Sequence, residues 1–315
     1  MFRKPAIISI SKYKLTNSEK TLIKNHKPWG VILFQRNISS FDQLKELTKD
    51  IRKCLKDPSY PILVDEEGGK VSRFSKLINT REFSQKFFGD LFEKNNSNGR
   101  LIYKYYINSI CSILKLTGIN INTIPVLDLL QKNTHEIIKE RTYSNKIKTI
   151  KLLGNICIKT LKKNKIASVS KHIPGHGCSN TDSHKKLPIV KSNLKTLNKS
   201  DFLAFKNVNS HFVMTAHVLY KKLDANFVAT QSSKIIKNII RKKLKFKGII
   251  ISDDISMKAL KGDIIKNARL SLKAGCNLVM HCNGNLKEST NLLKNLGKID
   301  KFTEKKTYKF YEFLR

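Results

Sequence analysis

Short apolar segments alternate with helical segments along the whole of this 315-residue chain, and this alternation constrains its fold more than any other feature. Such alternation is typical of a parallel sheet whose strands are connected by helices. Eight segments have the length and composition of buried strands: Ala6–Ile10, Gly30–Phe34, Pro61–Val64, Ile119–Val126, Ile166–Val169, Phe212–Thr215, Gly248–Ile251 and Asn277–His281. Because eight strands close a (β/α)8 barrel, the sequence predicts a TIM barrel of the α/β class.

Residues 1–315 are predicted to form a single domain, because no domain-sized linker and no internal repeat interrupts the chain. An open, doubly wound sheet is the alternative, but no glycine-rich dinucleotide fingerprint follows any early strand. Ser40 and Gln43 have the spacing of a capping box, and Gly275 is expected to end the helix before the last strand. The polar segment Glu93–Arg100 is predicted to be an exposed loop.

The chain carries a formal net charge of +37, which by itself suggests a polyanionic partner. However, only ten of its 61 basic residues are arginine, and the lysines are spread along the entire chain. No zinc finger, basic heptad region or aromatic RNA-binding pattern accompanies the charge. We therefore expect weak, salt-sensitive adhesion to polyanions and no specific nucleic-acid function.

The sequence also predicts where the protein resides. No apolar run is long enough to span a bilayer, and the apolar run after Met1–Pro5 is too short for a secretory signal. Six cysteines occur without CxxC pairs: Cys54, Cys111, Cys157, Cys178, Cys276 and Cys282. Such cysteines are expected to be free thiols in a reducing compartment. The prediction is a cytoplasmic protein without membrane contact, and a monomer.

A cluster of polar residues follows the fifth predicted strand. The apolar run leads through Ser170 into Lys171-His172-Ile173-Pro174-Gly175-His176-Gly177, and Asp182-Ser183-His184 follows shortly afterwards. The Pro-Gly step is incompatible with regular helix, so the cluster is expected to form a loop. Enzymes of the α/β class carry their chemistry at this end of the strands, which favours an active site over a polar surface turn.

Carboxylates follow two other predicted strands. Asp65-Glu66-Glu67-Gly68-Gly69 comes after the third strand, with Arg73 shortly beyond, and Ser252-Asp253-Asp254 follows the seventh. A carboxylate at a barrel mouth can act as a nucleophile or a base, although an acidic turn can also pair with surface lysines. Arg141, which stands alone, and His217, in an apolar setting, carry little information by themselves.

Two chemistries combine carboxylates with histidines. In carbohydrate chemistry, one carboxylate acts as nucleophile and a second group as acid and base. In metal-dependent hydrolysis, the candidate ligands are His172, His176, Asp182, His184 and Asp253. Metal-ligand spacing is loose here, and Lys171 beside the histidines would repel a cation, which favours the carbohydrate alternative.

These motifs resemble those of the family-3 glycoside hydrolases, and within them the single-domain bacterial β-N-acetylhexosaminidases that recycle cell-wall fragments. The resemblance runs in order over nearly the full length. It rests on four elements: Asp65 to Phe74, Lys171 to Gly177, Asp182-Ser183-His184, and Ser252 to Met257. The KHxPGHG element followed by D-x-H is highly specific, whereas a single Ser-Asp-Asp would not be. The family fold is a (β/α)8 barrel, in agreement with the strand count.

The resemblance implies a role for each matching residue. Asp253 matches the nucleophile that forms a covalent glycosyl-enzyme, His184 the general acid/base, and Asp182 the carboxylate that supports His184. The positions that hold a terminal N-acetylglucosamine are matched by Asp65, Arg73, Arg141, Lys171 and His172. The implied enzyme needs no metal and no cofactor. Glu66, where glutamine is common, and Lys70, where arginine is common, are departures from the pattern.

The chemistry agrees with these assignments. Aspartate is ionised at neutral pH, as a nucleophile must be, and histidine titrates near pH 6.5 and can serve as both acid and base. Asp182 can favour the imidazolium form of His184 through a hydrogen bond. Gly175 and Gly177 are expected to let the loop move, so that the acid is delivered when substrate is bound. His176 has no assigned role.

The predicted function is that of a retaining exo-β-N-acetylglucosaminidase acting on GlcNAc-anhydro-muramyl peptides, which are small carbohydrate substrates (muropeptides). Another family-3 activity, as a β-glucosidase or a phosphorolytic hexosaminidase, is the alternative within enzymes, because a neutral histidine would not repel phosphate. From a different class, the alternative is a basic polyanion-binding protein built on an inactive barrel.

Overall fold

The computed structural model describes residues 2–131, 134, 136–177 and 187–315 of the chain. Ten strands lie in these ranges: β1 Lys4–Ile8, β2 Pro28–Leu33, β3 Ile62–Val64, β4 Ile121–Asn122, β5 Ala167–Ile173, β6 Ile189–Val190, β7 Phe212–Thr215, β8 Leu219–Tyr220, β9 Ile249–Asp254 and β10 Leu278–His281. Eight of them form a closed parallel barrel in the order β1-β2-β3-β4-β5-β7-β9-β10. Strands β6 and β8 form a separate two-stranded sheet. The predicted (β/α)8 barrel is confirmed.

All eight predicted strands are present, with boundaries that shift by a few residues. The largest difference is at β4, which was predicted over Ile119–Val126 and is only two residues long. Pro125 has no N–H to donate to a ladder, so regular pairing stops before it. Val126 then forms only an isolated bridge to Lys171, which belongs to the neighbouring strand.

Helices surround the barrel on its outer side. In the described ranges they are α1 Asn17–His26, α2 Phe41–Leu55, α3 Gln85–Lys94, α4 Asn96–Leu116, α5 Glu136–Lys139, α6 Ile147–Lys163, α7 Leu194–Lys199, α8 Asp201–Phe205, α9 Ile264–Ala274, α10 Leu286–Asn295 and α11 Lys301–Leu314. A π-helix spans Ile235–Lys243, and short 3₁₀ turns cover Gln35–Asn37 and Ala229–Gln231. Within this part of the chain, none of the helices has the length and apolarity that a bilayer crossing demands.

The predicted loop over Glu93–Arg100 is wrong, because this segment joins two helices with Asn95 as the only residue between them. The Asn95 side chain accepts a hydrogen bond from the Asn98 backbone N–H at 3.1 Å and so caps α4. Gly99 lies so close to the backbone of Phe92 that a Cβ would overlap it. The polar residues therefore cover the exposed start of a helix.

Two further local predictions have different outcomes. Ser40 caps α2 by accepting the Gln43 N–H at 3.1 Å, but the Gln43 side chain accepts from Ser39 rather than from Ser40, so the capping box is wrong. Gly275 ends α9 with a φ of +116°, as predicted. The cysteines that the structure describes are free thiols, namely Cys54, Cys111, Cys157, Cys276 and Cys282, whereas Cys178 lies outside the described residues.

The amino-terminal end of the barrel is closed by the last helix. Trp29 donates its indole N–H to Thr307 of α11 at 2.9 Å, and its ring packs on Phe212 at 5.5 Å. The ring of Phe310 in α11 lies 5.5 Å from that of Phe212, so packed aromatic side chains fill this end of the barrel. Because all the strands are parallel, their carboxyl ends meet at the opposite end, where the polar residues lie.

Candidate active site

A cavity of about 290 Å³ lies at the carboxyl ends of the barrel strands. Among its lining residues are six of the predicted site residues: Asp65, Arg73, Arg141, Lys171, His172 and Asp253. The remaining two, Asp182 and His184, lie outside the described residues. Ile32, Phe34, Met214, Met257 and Met280 contribute an apolar wall. Residues distant in the sequence are thus brought together at the predicted end of the barrel.

Asp65, directly after β3, links three polar side chains. Its Oδ1 atom accepts hydrogen bonds from Lys171 at 2.5 Å and from the Thr123 hydroxyl at 2.6 Å, and its Oδ2 accepts from Arg73 at 2.6 Å. Burial by itself would raise the pKa of Asp65, but Lys171, Arg73 and Arg141 outweigh it and hold the pKa well below its usual range. Asp65 is therefore an ionised acceptor that fixes two cationic side chains.

Glu67 is a functional residue that the sequence prediction missed. Its carboxylate accepts two hydrogen bonds from Arg141, both at 2.8 Å, and lies 2.6 Å from the Lys171 ammonium. Burial alone would raise the pKa of Glu67, yet Arg141 and Lys171 lower it. Conversely, Glu67 outweighs the burial of Arg141, whose pKa is raised. Arg141, an isolated arginine in the sequence, therefore joins the site through a two-point contact with a buried carboxylate.

Asp128, which follows β4, was also missed as a site residue. It is completely buried and accepts hydrogen bonds from the His172 Nδ1 at 2.7 Å and from the backbone N–H of His176 at 2.8 Å. Burial tends to raise the pKa of Asp128, but the two histidines outweigh that effect and lower it. The carboxylate thus ties the end of β5 to the turn that follows it.

The two aspartates at the end of β9 have different surroundings. Asp254 accepts hydrogen bonds from the backbone and hydroxyl of Ser256, at 3.1 and 2.8 Å, and from the Cys282 N–H at 3.3 Å. Both aspartates line the cavity, and Asp253 accepts the N–H of Asp254 at 2.8 Å. Asp254 therefore holds the turn together, which leaves Asp253 as the better candidate for chemistry.

Glu66 lies behind the cavity and supports the segment that carries Arg73. Its Oε2 accepts the backbone N–H of Arg73 at 2.6 Å and that of Phe74 at 3.3 Å. Glu66 is only 1% exposed, and this burial raises the pKa of its carboxyl to about 7. The departure from glutamine at this position thus places a titratable group beneath the site.

Comparison with known proteins identifies the family to which the chain belongs. A sequence profile described as the glycosyl hydrolase family 3 N-terminal domain matches residues 4–307. The chain belongs to glycosyl hydrolase family 3. The resemblance that its motifs indicated is confirmed, and the protein is a glycosidase.

Several relatives of this family-3 chain are similar over most of their length. A β-hexosaminidase from Neisseria meningitidis serogroup A is 35% identical over 287 residues, which cover 89% of this chain and 78% of the relative. A β-hexosaminidase from Nitrosomonas eutropha is 33% identical, with coverage of 90% and 82%. The crystal structure of NagZ from Neisseria gonorrhoeae in complex with N-trifluoroacetyl-D-glucosamine superposes with a TM-score of 0.88 at 29% identity, covering 100% of this chain and 91% of that one.

Two other histidines lie close to the family-3 site. His217 is buried, and its ring nitrogens lie 2.7 Å from the Thr230 hydroxyl and 3.0 Å from the Asp254 carbonyl, so it is a satisfied core residue. Burial lowers the pKa of His176 to about 4, and its ring lies 6.0 Å from that of His172. Burial also lowers the pKa of His217, so both histidines are neutral at physiological pH.

The glycines of the KHxPGHG motif are required for close packing. Gly175 has a φ of +140°, and a Cβ there would lie 2.5 Å from the Asp201 side chain. A Cβ on Gly177 would overlap the carbonyl oxygen of Leu129. The carbonyls of both glycines accept hydrogen bonds, from the Tyr220 hydroxyl and from the Thr134 hydroxyl respectively. These glycines therefore have a packing role at the start of the loop, and the loop movement expected of them stays a prediction, because residues 178–186 lie outside the described residues.

The alternative of a metal centre gains no support from the described part of the chain. None of the groups of His, Cys, Asp and Glu side chains in this part has three members placed to hold a metal ion. The carboxylates of Asp65 and Glu67 converge instead on the Lys171 ammonium. Two of the five candidate ligands, Asp182 and His184, lie outside the described residues.

Proposed function

We propose that this family-3 protein is a retaining exo-β-N-acetylglucosaminidase that removes terminal GlcNAc from GlcNAc-anhydro-muramyl peptides. The observation that carries the proposal is the convergence of Asp253 and a set of charged sugar-binding candidates on one cavity of about 290 Å³. That volume is at the small end of ligand pockets and suits one sugar ring. Relatives named β-hexosaminidase, and a NagZ that binds an N-acylated glucosamine, support the choice of sugar.

Binding of the sugar is assigned to Asp65, Arg73, Arg141, Lys171 and His172. Arginine and lysine donate several hydrogen bonds, and a carboxylate accepts them, so this set suits a ring with many hydroxyls. Asp65 and Glu67 hold the cationic groups at fixed positions before substrate arrives. A preformed set of this kind lowers the entropy cost of binding.

In the first chemical step, an oxygen of Asp253 attacks the anomeric carbon while the bond from that carbon to the aglycone oxygen breaks. His184 gives its proton to the departing oxygen, and the product of the step is a covalent glycosyl-enzyme. In the second step, neutral His184 takes a proton from water, the water oxygen bonds to the anomeric carbon, and Asp253 is released. Asp182 supports the imidazolium form of His184, which is present before the first step and is restored by the second.

No metal or cofactor enters this scheme, and we propose a cytoplasmic monomer composed of one catalytic barrel, residues 1–315. Phosphorolysis remains the alternative for the second step, because a neutral His184 would admit a phosphate anion to the cavity. The polyanion-binding alternative requires an inactive barrel, and the ordered set of ion pairs around Asp65 and Glu67 disfavours it.

The proposal is tested by hydrolysis of an aryl β-N-acetylglucosaminide. We expect the wild-type protein to cleave it, Asp253→Ala to lose cleavage by a factor of about 10³ or more, and Asp90→Ala, a change of an exposed carboxylate, to have no effect. Full activity of Asp253→Ala would contradict the nucleophile. Product analysis with and without phosphate separates hydrolysis from phosphorolysis, and a preference for chitobiose over muropeptides would contradict the proposed substrate.

A further inference from the structure

Asp128 lies behind His172 and, among the residues that the structure describes, is the only carboxylate in contact with that ring. Asp128 is completely buried and does not line the cavity, whereas His172 lines it. Besides the ring of His172, its oxygens accept the backbone N–H of His176 at 2.8 Å and that of His172 at 3.3 Å. Asp128 thus has no access to a substrate and can act only through the groups that it holds.

The hydrogen-bond partners of His172 determine which ring nitrogen carries the proton. An ionised carboxylate can only accept, so the Nδ1 atom, 2.7 Å from Asp128, must carry a hydrogen. On the other side, the Nε2 atom lies 3.4 Å from a nitrogen of the Arg141 guanidinium. A guanidinium can only donate, so Nε2 must present a lone pair. Both partners therefore select the same neutral tautomer.

We propose that Asp128 is a positioning residue that holds His172 as the Nδ1–H tautomer, so that Nε2 and Arg141 together form an acceptor–donor pair for one sugar hydroxyl. A hydroxyl both donates and accepts, so it satisfies the two groups at once. The inference rests on the proposed function, because the sugar supplies that hydroxyl. It adds a residue to the site and specifies the direction of the hydrogen bond that His172 makes.

The substitution Asp128→Asn tests this inference with almost no change of shape. The asparagine oxygen can still accept the His176 N–H, but its amide group would now donate to the His172 Nδ1 atom. The ring would then carry its proton on Nε2, where it opposes the donors of Arg141. A reversed tautomer of this kind disables a histidine whose surroundings remain in place.

A nitrogen-15 spectrum of the histidine side chains gives the direct readout, because it distinguishes protonated from unprotonated ring nitrogens. The His172 signals are identified as those that His172→Gln removes. We expect Nδ1 protonated and Nε2 unprotonated in the wild type, and the reverse in Asp128→Asn. A wild-type His172 with Nε2 protonated, alone or together with Nδ1, would overturn the inference, and this result does not depend on whether the variant folds.

Kinetics give the second readout. For Asp128→Asn we expect kcat/KM on the aryl glycoside to fall by roughly 10- to 100-fold, mainly through KM, as expected when a buried hydrogen bond is left unpaired. Glu288→Gln is the matched control, because Glu288 pairs with His281 at 3.0 Å away from the cavity. It should leave kcat/KM unchanged. Wild-type kcat/KM in a folded Asp128→Asn protein would also overturn the inference.

These readouts separate the two proposals. If the wild-type protein fails to cleave the aryl glycoside, the proposed function fails, while the spectrum still decides the tautomer. If the wild type cleaves it and the spectrum has the wrong tautomer, only the role of Asp128 fails.

Discussion

Replacing Glu66 by glutamine should stabilise the protein, and the gain should depend on pH. In the folded chain this carboxyl is buried, and its pKa is raised from 4.5 to about 7. The folded state therefore binds more protons than the unfolded state between these values, so wild-type stability falls as the pH rises from about 5 to above 7. A rise of this size corresponds to a cost of about 3 kcal/mol once Glu66 is ionised in both states. Glutamine has the same shape and does not titrate.

The assay is urea unfolding of Glu66→Gln and the wild type at pH 5 and pH 8. The advantage of the variant should grow by about 2 to 3 kcal/mol between these two pH values, at an unchanged denaturant slope. Glu312→Gln, a change of an exposed carboxyl, is the control and should have the same small effect at both. An equal effect of Glu66→Gln at both pH values would refute the reasoning. It would mean that the N–H groups of Arg73 and Phe74 compensate fully for burial.

Two further substitutions test the packing of the site. Glu67→Gln removes a buried countercharge from Arg141 and Lys171 and should lower the free energy of unfolding by about 3 to 5 kcal/mol, whereas Glu82→Gln at an exposed position should have little effect. A loss of under about 1 kcal/mol in the free energy of unfolding would contradict the role of Glu67.

Gly177→Ala should lower both the melting temperature and kcat, because a Cβ at this position would overlap the Leu129 carbonyl oxygen. Gly297→Ala, which has no neighbouring atom within 4 Å, should be neutral, and equal behaviour of the two variants would rule out the packing role.

The barrel could be predicted from the sequence because its signals are local and repeated. Each strand is a short apolar run followed by polar residues, and eight such runs suffice to specify the closed sheet. The prediction of a loop over Glu93–Arg100 was wrong for a physical reason. Polar residues are typical both of loops and of the exposed first turn of a helix, and composition alone does not distinguish a capping Asn95 from a loop asparagine.

The site was predicted in part, and the missed residues share a property. Glu67 and Asp128 are buried carboxylates that contact other side chains rather than the cavity, so their roles depend on partners far away in the sequence. Glu67 lies in an acidic run that also suits a surface turn, and Asp128 lies inside a short apolar segment, with Leu127 before it and Leu129 after it. The only sequence signal was position, since Glu67 comes three residues after β3 and Asp128 six residues after β4. Arg141 could be placed only by resemblance, because the nearest strand ends well before it.

The most direct test of the proposed mechanism is to trap the glycosyl-enzyme. An activated fluorinated N-acetylglucosamine analogue that slows the second step should leave the sugar attached to the protein, and mass spectrometry of the digested protein locates it. We expect one sugar, bound through an ester to Asp253, and no label in Asp253→Ala. A label on another carboxylate, or turnover of the analogue without any covalent species in the wild type, would contradict the assignment of Asp253 as the nucleophile of a retaining glycosidase.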